Sequence, residues 1–119
     1  MTENPLTNPR VQRRLKDLDL RVEAQDAADL DAIMRTTSGR RFMYRMVFLV
    51  GKLQARSYDS SGQAMAFNEG RRAMALLLLN ETQAICPELW MAMLKERISS
   101  EERMQYDRDE AKKPHGDDE

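Results

Sequence analysis

The residues whose chemistry could support a reaction or a contact fall into three groups. Cys86 is the single cysteine, next to Pro87, and a thiol beside a helix start can have its pKa lowered into nucleophilic range. The only histidine is His115, far away in sequence, so a small buried core residue is the better reading of Cys86. His115 with Asp117, Asp118 and Glu119 offers metal-ligand types, but these residues follow Pro114 in an acidic tail that a site would first have to order. Neither a metal nor a cofactor is expected.

The third group is cationic. Arg35, Arg40, Arg41, Arg45, Lys52 and Arg56 occupy a stretch with no acidic residue between Arg35 and Asp59, and Arg71 and Arg72 can join them. Such a face suits DNA phosphates or an acidic protein surface. Arg40, Arg41 and Arg72 adjoin apolar positions, where a charge needs a partner, and Glu69 is available. Arg40, Glu69, Gly70 and Arg72 are therefore expected to form a structural ion-pair and close-packing site. Lys52 and Arg56 are the better candidates for an exposed contact. Carboxylate pairs such as Asp29 with Asp31 are ordinary on solvated helices, and the five glycines form no phosphate-binding loop. The expectation is a non-enzymatic protein.

These residues need elements to hold them. A chain of 119 residues with 41% hydrophobic and 33% charged content makes one modest domain with wide solvated faces, and its net charge of -1 argues against wholesale wrapping of nucleic acid. One cysteine excludes an internal disulfide, and no segment reaches the length of apolar residues that spans a bilayer. The N-terminus lacks the apolar core of a secretory signal, so a soluble, unprocessed protein made and used on the cytoplasmic side, or in an assembly formed there, is expected.

Asn8 followed by Pro9 suits a helix opening, and Val11, Leu15, Leu18 and Val22 then step as a narrow apolar stripe. That stripe calls for a partner, and its four residues are candidate partner contacts. Gln25, Asp26 and Asp29 interrupt it, so a break or a change of direction is expected near Gln25–Asp26, followed by a short helix with Leu30, Ile33 and Met34. After the capping-type residues Thr36, Thr37 and Ser38, a central helix is expected over 39–56, with Phe42, Met46, Leu49 and Leu53 facing the core and Met43, Val47 and Val50 widening the stripe. Ser60 and Gln63 have capping-box spacing before a helix over 62–83, on which Phe67, Met74, Leu78 and Ile85 mark one face, extended by Leu76, Leu77 and Leu79. Gly70 on that face would let the central helix approach closely. Pro87 and Glu88 open a helix bearing Leu89, Trp90, Met93, Leu94 and Ile98. Ser99 and Glu102 could open a last one within a charged tail that is ordered to Lys113 at most. Of nine methionines, Met43, Met46, Met65, Met74, Met91 and Met93 can fill an irregular core or line an adaptable helix-binding groove.

Three blocks, 39–48 (GRRFMYRMVF), 67–79 (FNEGRRAMALLLL) and 86–96 (CPELWMAMLKE), together resemble a family of small helical proteins of short-tailed bacteriophages, named after a Bordetella phage open reading frame (Bbp-nineteen-like). The likeness extends over residues 30–96 and excludes the arm and the acidic tail. It implies a phage protein of the virion or of virion assembly and brings no enzymatic role.

The resulting expectation is an all-α protein: an N-terminal helical arm (1–25), a compact antiparallel core of about three main helices (26–99) and a charged, partly disordered tail (100–119). Its function would be that of a phage structural or assembly protein, internal and ejected or attached near the portal and tail, working through helix-mediated contacts as a homo-oligomer or with other virion proteins. It would be found in the virion, or in the host cytoplasm during assembly. The alternative is a small regulatory protein binding a host or phage enzyme, or DNA, through the basic face, with DNA the less favoured partner.

Overall fold

The computed structural model describes residues 4–55 and 61–114, and all regular structure among them is helical. A short 3₁₀ turn, Pro5–Thr7, precedes α1 (Pro9–Arg35). Next come α2 (Thr37–Tyr44), which continues as a π-helical stretch Arg45–Val50, then α3 (Gly62–Ile85) and α4 (Pro87–Lys112). The all-α class is as expected, but the shape is not a compact bundle. The radius of gyration is 22.7 Å and the extents are 95 × 40 × 18 Å, against about 13.5 Å for the radius of a compact chain of this length. The cause is helix length. At 1.5 Å per residue, α1 and α4, of 27 and 26 residues, are each about 40 Å long, and the core they share is far shorter.

That core is small and gathers the middle of the chain. Met34 of α1, Met43 and Val47 of the α2–π segment, Ala75 and Thr82 of α3, Cys86 at the α3–α4 junction, and Trp90 and Met93 of α4 are buried. Leu30, Tyr44, Phe48, Leu53, Leu78, Leu79, Ile85, Leu89 and Leu94 pack around them. Thr82 is satisfied internally, its hydroxyl donating to the Leu78 carbonyl at 2.7 Å. Of the methionines, Met34, Met43 and Met93 fill the core, whereas Met65, Met74 and Met91 are exposed.

Helix α1 begins as its sequence indicates: Asn8 Oδ1 accepts from the Arg10 N–H at 2.9 Å and Pro9 takes the first position. The expected break near Gln25 does not occur. Gln25 Nε2 donates to Asp29 Oδ1 one turn on, at 2.7 Å, and the alanines around this pair favour helix. The polar residues end the apolar stripe without ending the helix. Helix α4 likewise runs on through Ser99, whose spacing to Glu102 could have opened a new helix, carried by the Arg97–Glu101 and Gln105–Asp109 pairs.

The central segment departs most from its expected form. It starts at Thr37, capped by the Thr36 hydroxyl, which accepts from the Gly39 N–H at 2.9 Å. It ends at Gly51, whose N–H reaches five residues back to the Met46 carbonyl at 2.8 Å. Wider π turns shift which residues share a face. Leu49, within the π stretch, is exposed instead of facing the core; Phe42, which precedes the stretch in α2, is exposed as well because the buried side of the segment runs through Met43 and Val47. On α3 the inward residues are Ala75 and Thr82, and Phe67, Met74, Leu76 and Leu77 are exposed.

The close approach expected at Gly70 is found elsewhere. A Cβ on Gly70 would meet nothing, whereas one on Gly51 would lie 2.6 Å from Ala75 Cβ and one on Gly39 would overlap the Ile33 carbonyl. Lys52, next to Gly51, takes the left-handed conformation (φ 48°) that a glycine would adopt more readily. Contact with Ala75 requires the glycine at 51, so the strained backbone falls to Lys52. Gly51→Ala is expected to lower stability by about 2 kcal/mol through steric overlap. Gly70→Ala should raise it by about 0.5–1 kcal/mol, and urea denaturation of both variants followed by Trp90 fluorescence checks the contrast.

Candidate functional site

The side chain that joins the elements is Arg40, in the first turns of α2. Its Nε donates to both Glu96 carboxylate oxygens at 3.0 Å, and Nη2 lies 2.8 Å from Glu96 Oε1. Nη1 donates to the Met34 and Arg35 carbonyls at 2.9 and 3.0 Å, and Nη2 also reaches Thr37 Oγ1 at 3.3 Å. One guanidinium thus satisfies two end carbonyls of α1 and pairs with α4. Hydrogen bonding to Glu96 raises the Arg40 pKa further, keeping the charge permanent.

The expected pairing of Arg40 with Glu69 is therefore corrected. Glu96 is 56 positions away in sequence but faces Arg40 across the α2–α4 packing, while Glu69 is exposed on α3 and forms no ion pair among the described residues. Arg72 also serves differently: its Nε donates to the Leu53 carbonyl at 3.0 Å, fastening the segment after the π turn to α3. Gly70 lies at the surface beside Val50, Phe67 and Met74. The four residues expected to form one site are thus dispersed.

Around Arg40, a cleft of about 210 Å³ between α2 and α4 is lined by Arg41, Tyr44, Met93, Glu96, Arg97 and Ser100. The Arg97 guanidinium lies 4.7 Å from the Tyr44 ring centroid and pairs with Glu101 at 2.8 Å. Tyr44 stacks at 4.7 Å on Phe48, which meets Trp90 at 6.0 Å. Arg41 forms no ion pair among the described residues, against the expected internal pairing. The cleft offers N–H donors over an apolar floor, chemistry suited to holding a group. Glu96 and Arg97 escaped the sequence reading because nothing in linear order marks their closeness to Arg40 and Tyr44.

The other candidates lie apart. Leu15, Leu18 and Val22 are 44%, 52% and 59% exposed on the free part of α1, and Val11 is half-buried near its start. Lys52 is exposed after the π turn, and Arg56 lies outside the described residues, as does the His115 cluster. No group of metal-ligating side chains is found among the described residues, and no helix there is long and apolar enough to cross a membrane. Cys86 is buried in the core. Burial, and secondarily the Asp31 carboxylate, push its thiol pKa up, with Arg35 opposing in part.

The family model for Bbp19-like phage proteins matches residues 30–95, more than half of the chain. The chain belongs to that family. The matched span begins at Leu30, where α1 enters the core, and takes in Arg40, Gly51, Cys86 and Trp90, but not the exposed arm. No curated protein and no solved structure matches the chain.

Arg40→Ala removes the α1 end cap and leaves two carbonyls and a carboxylate without their donor. A loss of about 2–3 kcal/mol is expected, read by urea denaturation, whereas substitution of Glu96, whose side chain is 39% exposed, by alanine should cost no more than about 1 kcal/mol. For Cys86, the folded state keeps the thiol protonated where the unfolded thiol, with its pKa near 8.5, ionises. The folded state then binds more protons, so stability should fall as pH rises above about 8.5. The fall should be absent in Cys86→Ala, and the native thiol should react with a disulfide reagent only as fast as the protein unfolds.

Proposed function

We propose that this member of the Bbp19-like phage family is a non-enzymatic structural or virion-assembly protein, internal and ejected or associated with the portal and tail, that works through helix-mediated protein contacts. The observation that carries this reading is the free half of α1. Its Leu15, Leu18 and Val22 stay exposed on a helix that leaves the core, and apolar residues aligned on an unpacked helix mark a protein-binding face. The extended shape supports it further, since a span of 95 Å can bridge neighbours in an assembly. Its place is then the virion, or the host cytoplasm during assembly.

A second reading rests on Arg41 and Arg45. Both are exposed, Arg45 lies 5.3 Å from the ring centroid of the exposed Phe42, and neither forms an ion pair among the described residues. A small regulatory protein could engage an acidic enzyme surface, or DNA, through this face. Its binding would weaken steeply with added salt.

Quantitative mass spectrometry of gradient-purified particles of the encoding phage distinguishes the two. The first reading expects this chain in a fixed ratio to the portal protein, and loss of particle association when residues 1–24 are deleted. Absence of the chain from particles that contain the portal would sink the ejected and portal-associated forms of that reading.

A further inference from the structure

The stripe on the free half of α1 has coiled-coil spacing. Val11, Leu15, Leu18 and Val22 are separated by four, three and four residues, the alternation of d and a positions in a heptad. With Leu15 and Val22 at a, the flanking g positions are Arg14 and Arg21 and the flanking e positions are Asp19 and Asp26. All four charged residues are exposed, and none forms an ion pair among the described residues, even though Asp17 is one turn from Arg21.

This pattern selects a partner. In a parallel pair, each g residue faces the e residue five positions later on the other helix. Arg14 would face Asp19 of a second copy, and Arg21 would face Asp26, on both sides of the seam. In an antiparallel pair g faces g and e faces e, which sets arginine against arginine and aspartate against aspartate. We infer that the arm of α1 pairs in parallel with the arm of a second copy of this chain, as a short two-stranded coiled coil over Val11 to Val22. Val22 at a with Leu18 at d fits two strands, whereas Leu15 at a with Val11 at d is the reverse order, so the strand number is read by the sedimentation measurement. Beyond Val22 the seam positions are Gln25 and Asp29, which bond to each other within the helix at 2.7 Å. Two opposed Asp29 carboxylates would repel, so the seam ends before α1 enters the core.

The inference deepens the proposed function by naming the partner of the arm, yet it is tested on the purified chain alone. A monomer would overturn it and leave particle association to be decided by the particle measurement. Sedimentation equilibrium of the full chain should show a monomer–dimer equilibrium. Leu15→Asp with Leu18→Asp should raise its dissociation constant at least about a hundredfold by placing carboxylates in the seam. Because both leucines lie outside the core, Trp90 emission should not change. Reversal of one charge set, as Arg14→Asp with Arg21→Asp or as Asp19→Arg with Asp26→Arg, should weaken each homodimer, and mixing the two variants should restore pairing.

Orientation is read separately. Val11→Cys should form a disulfide with its own copy on mild oxidation, because parallel pairing sets the two positions opposite each other. Overturning results are a monomer at every accessible concentration, a dimer indifferent to the seam substitutions, or a dimer in which Val11→Cys does not cross-link.

Discussion

The fold depends on the five donors of one guanidinium. Helix α1 ends in the core with carbonyls that no further turn can satisfy, α2 leaves it at a sharp junction, and α4 passes alongside. Arg40 meets all three demands at once. A lysine could supply the charge but not the planar fork that reaches two carbonyls and a carboxylate together. With only 12% of its side chain exposed, Arg40 sits where its hydrogen bonds are strengthened by exclusion of water. The gap between α1 and α2 is held by the same geometry, since the chain turns tightly enough at Gly39 that any side chain there would collide with the Ile33 carbonyl.

A core of this size can hold only part of such long helices. Seven apolar residues and one threonine are buried, clustered where the end of α1, the α2–π segment, the second half of α3 and the start of α4 converge. Outside that convergence, α1 and α4 continue as helices because their local chemistry sustains them: alanines and a Gln–Asp pair in one, an Arg–Glu ion pair and a second Gln–Asp pair along the other. The two extensions differ in character. That of α4 is mostly charged, with Met104 and Tyr106 as its large apolar residues, whereas that of α1 carries leucine and valine on one side with arginine and aspartate in fixed flanking positions.

The division between core and arm coincides with the reach of the family match, which begins at Leu30. Arg40, the π turn and the aromatic stack all lie within the matched span, Glu96 lies one residue past its end, and the arm stripe lies before it. The match thus covers the folded centre of this chain and leaves the arm outside it.

Local chemistry was legible in the residues. The Asn8–Pro9 opening, the Thr36 cap, the restart at Pro87 and the all-helical class each follow from interactions spanning no more than one or two turns, which linear order displays. The arm stripe was legible too, because its periodicity owes nothing to the rest of the fold. Inward faces and long-range partners were not. The buried side of the central segment proved to run through Met43 and Val47, leaving Phe42 exposed before the π turn and Leu49 exposed within it, and the glycine needed for close packing proved to be Gly51 instead of Gly70. Arg40 had several carboxylates within its possible choice, and only the packing of α2 on α4 brought Glu96 to it. Spacing along a helix records what neighbouring turns do to one another; which helices meet, and how far they run past the meeting point, depends on contacts between residues tens of positions apart.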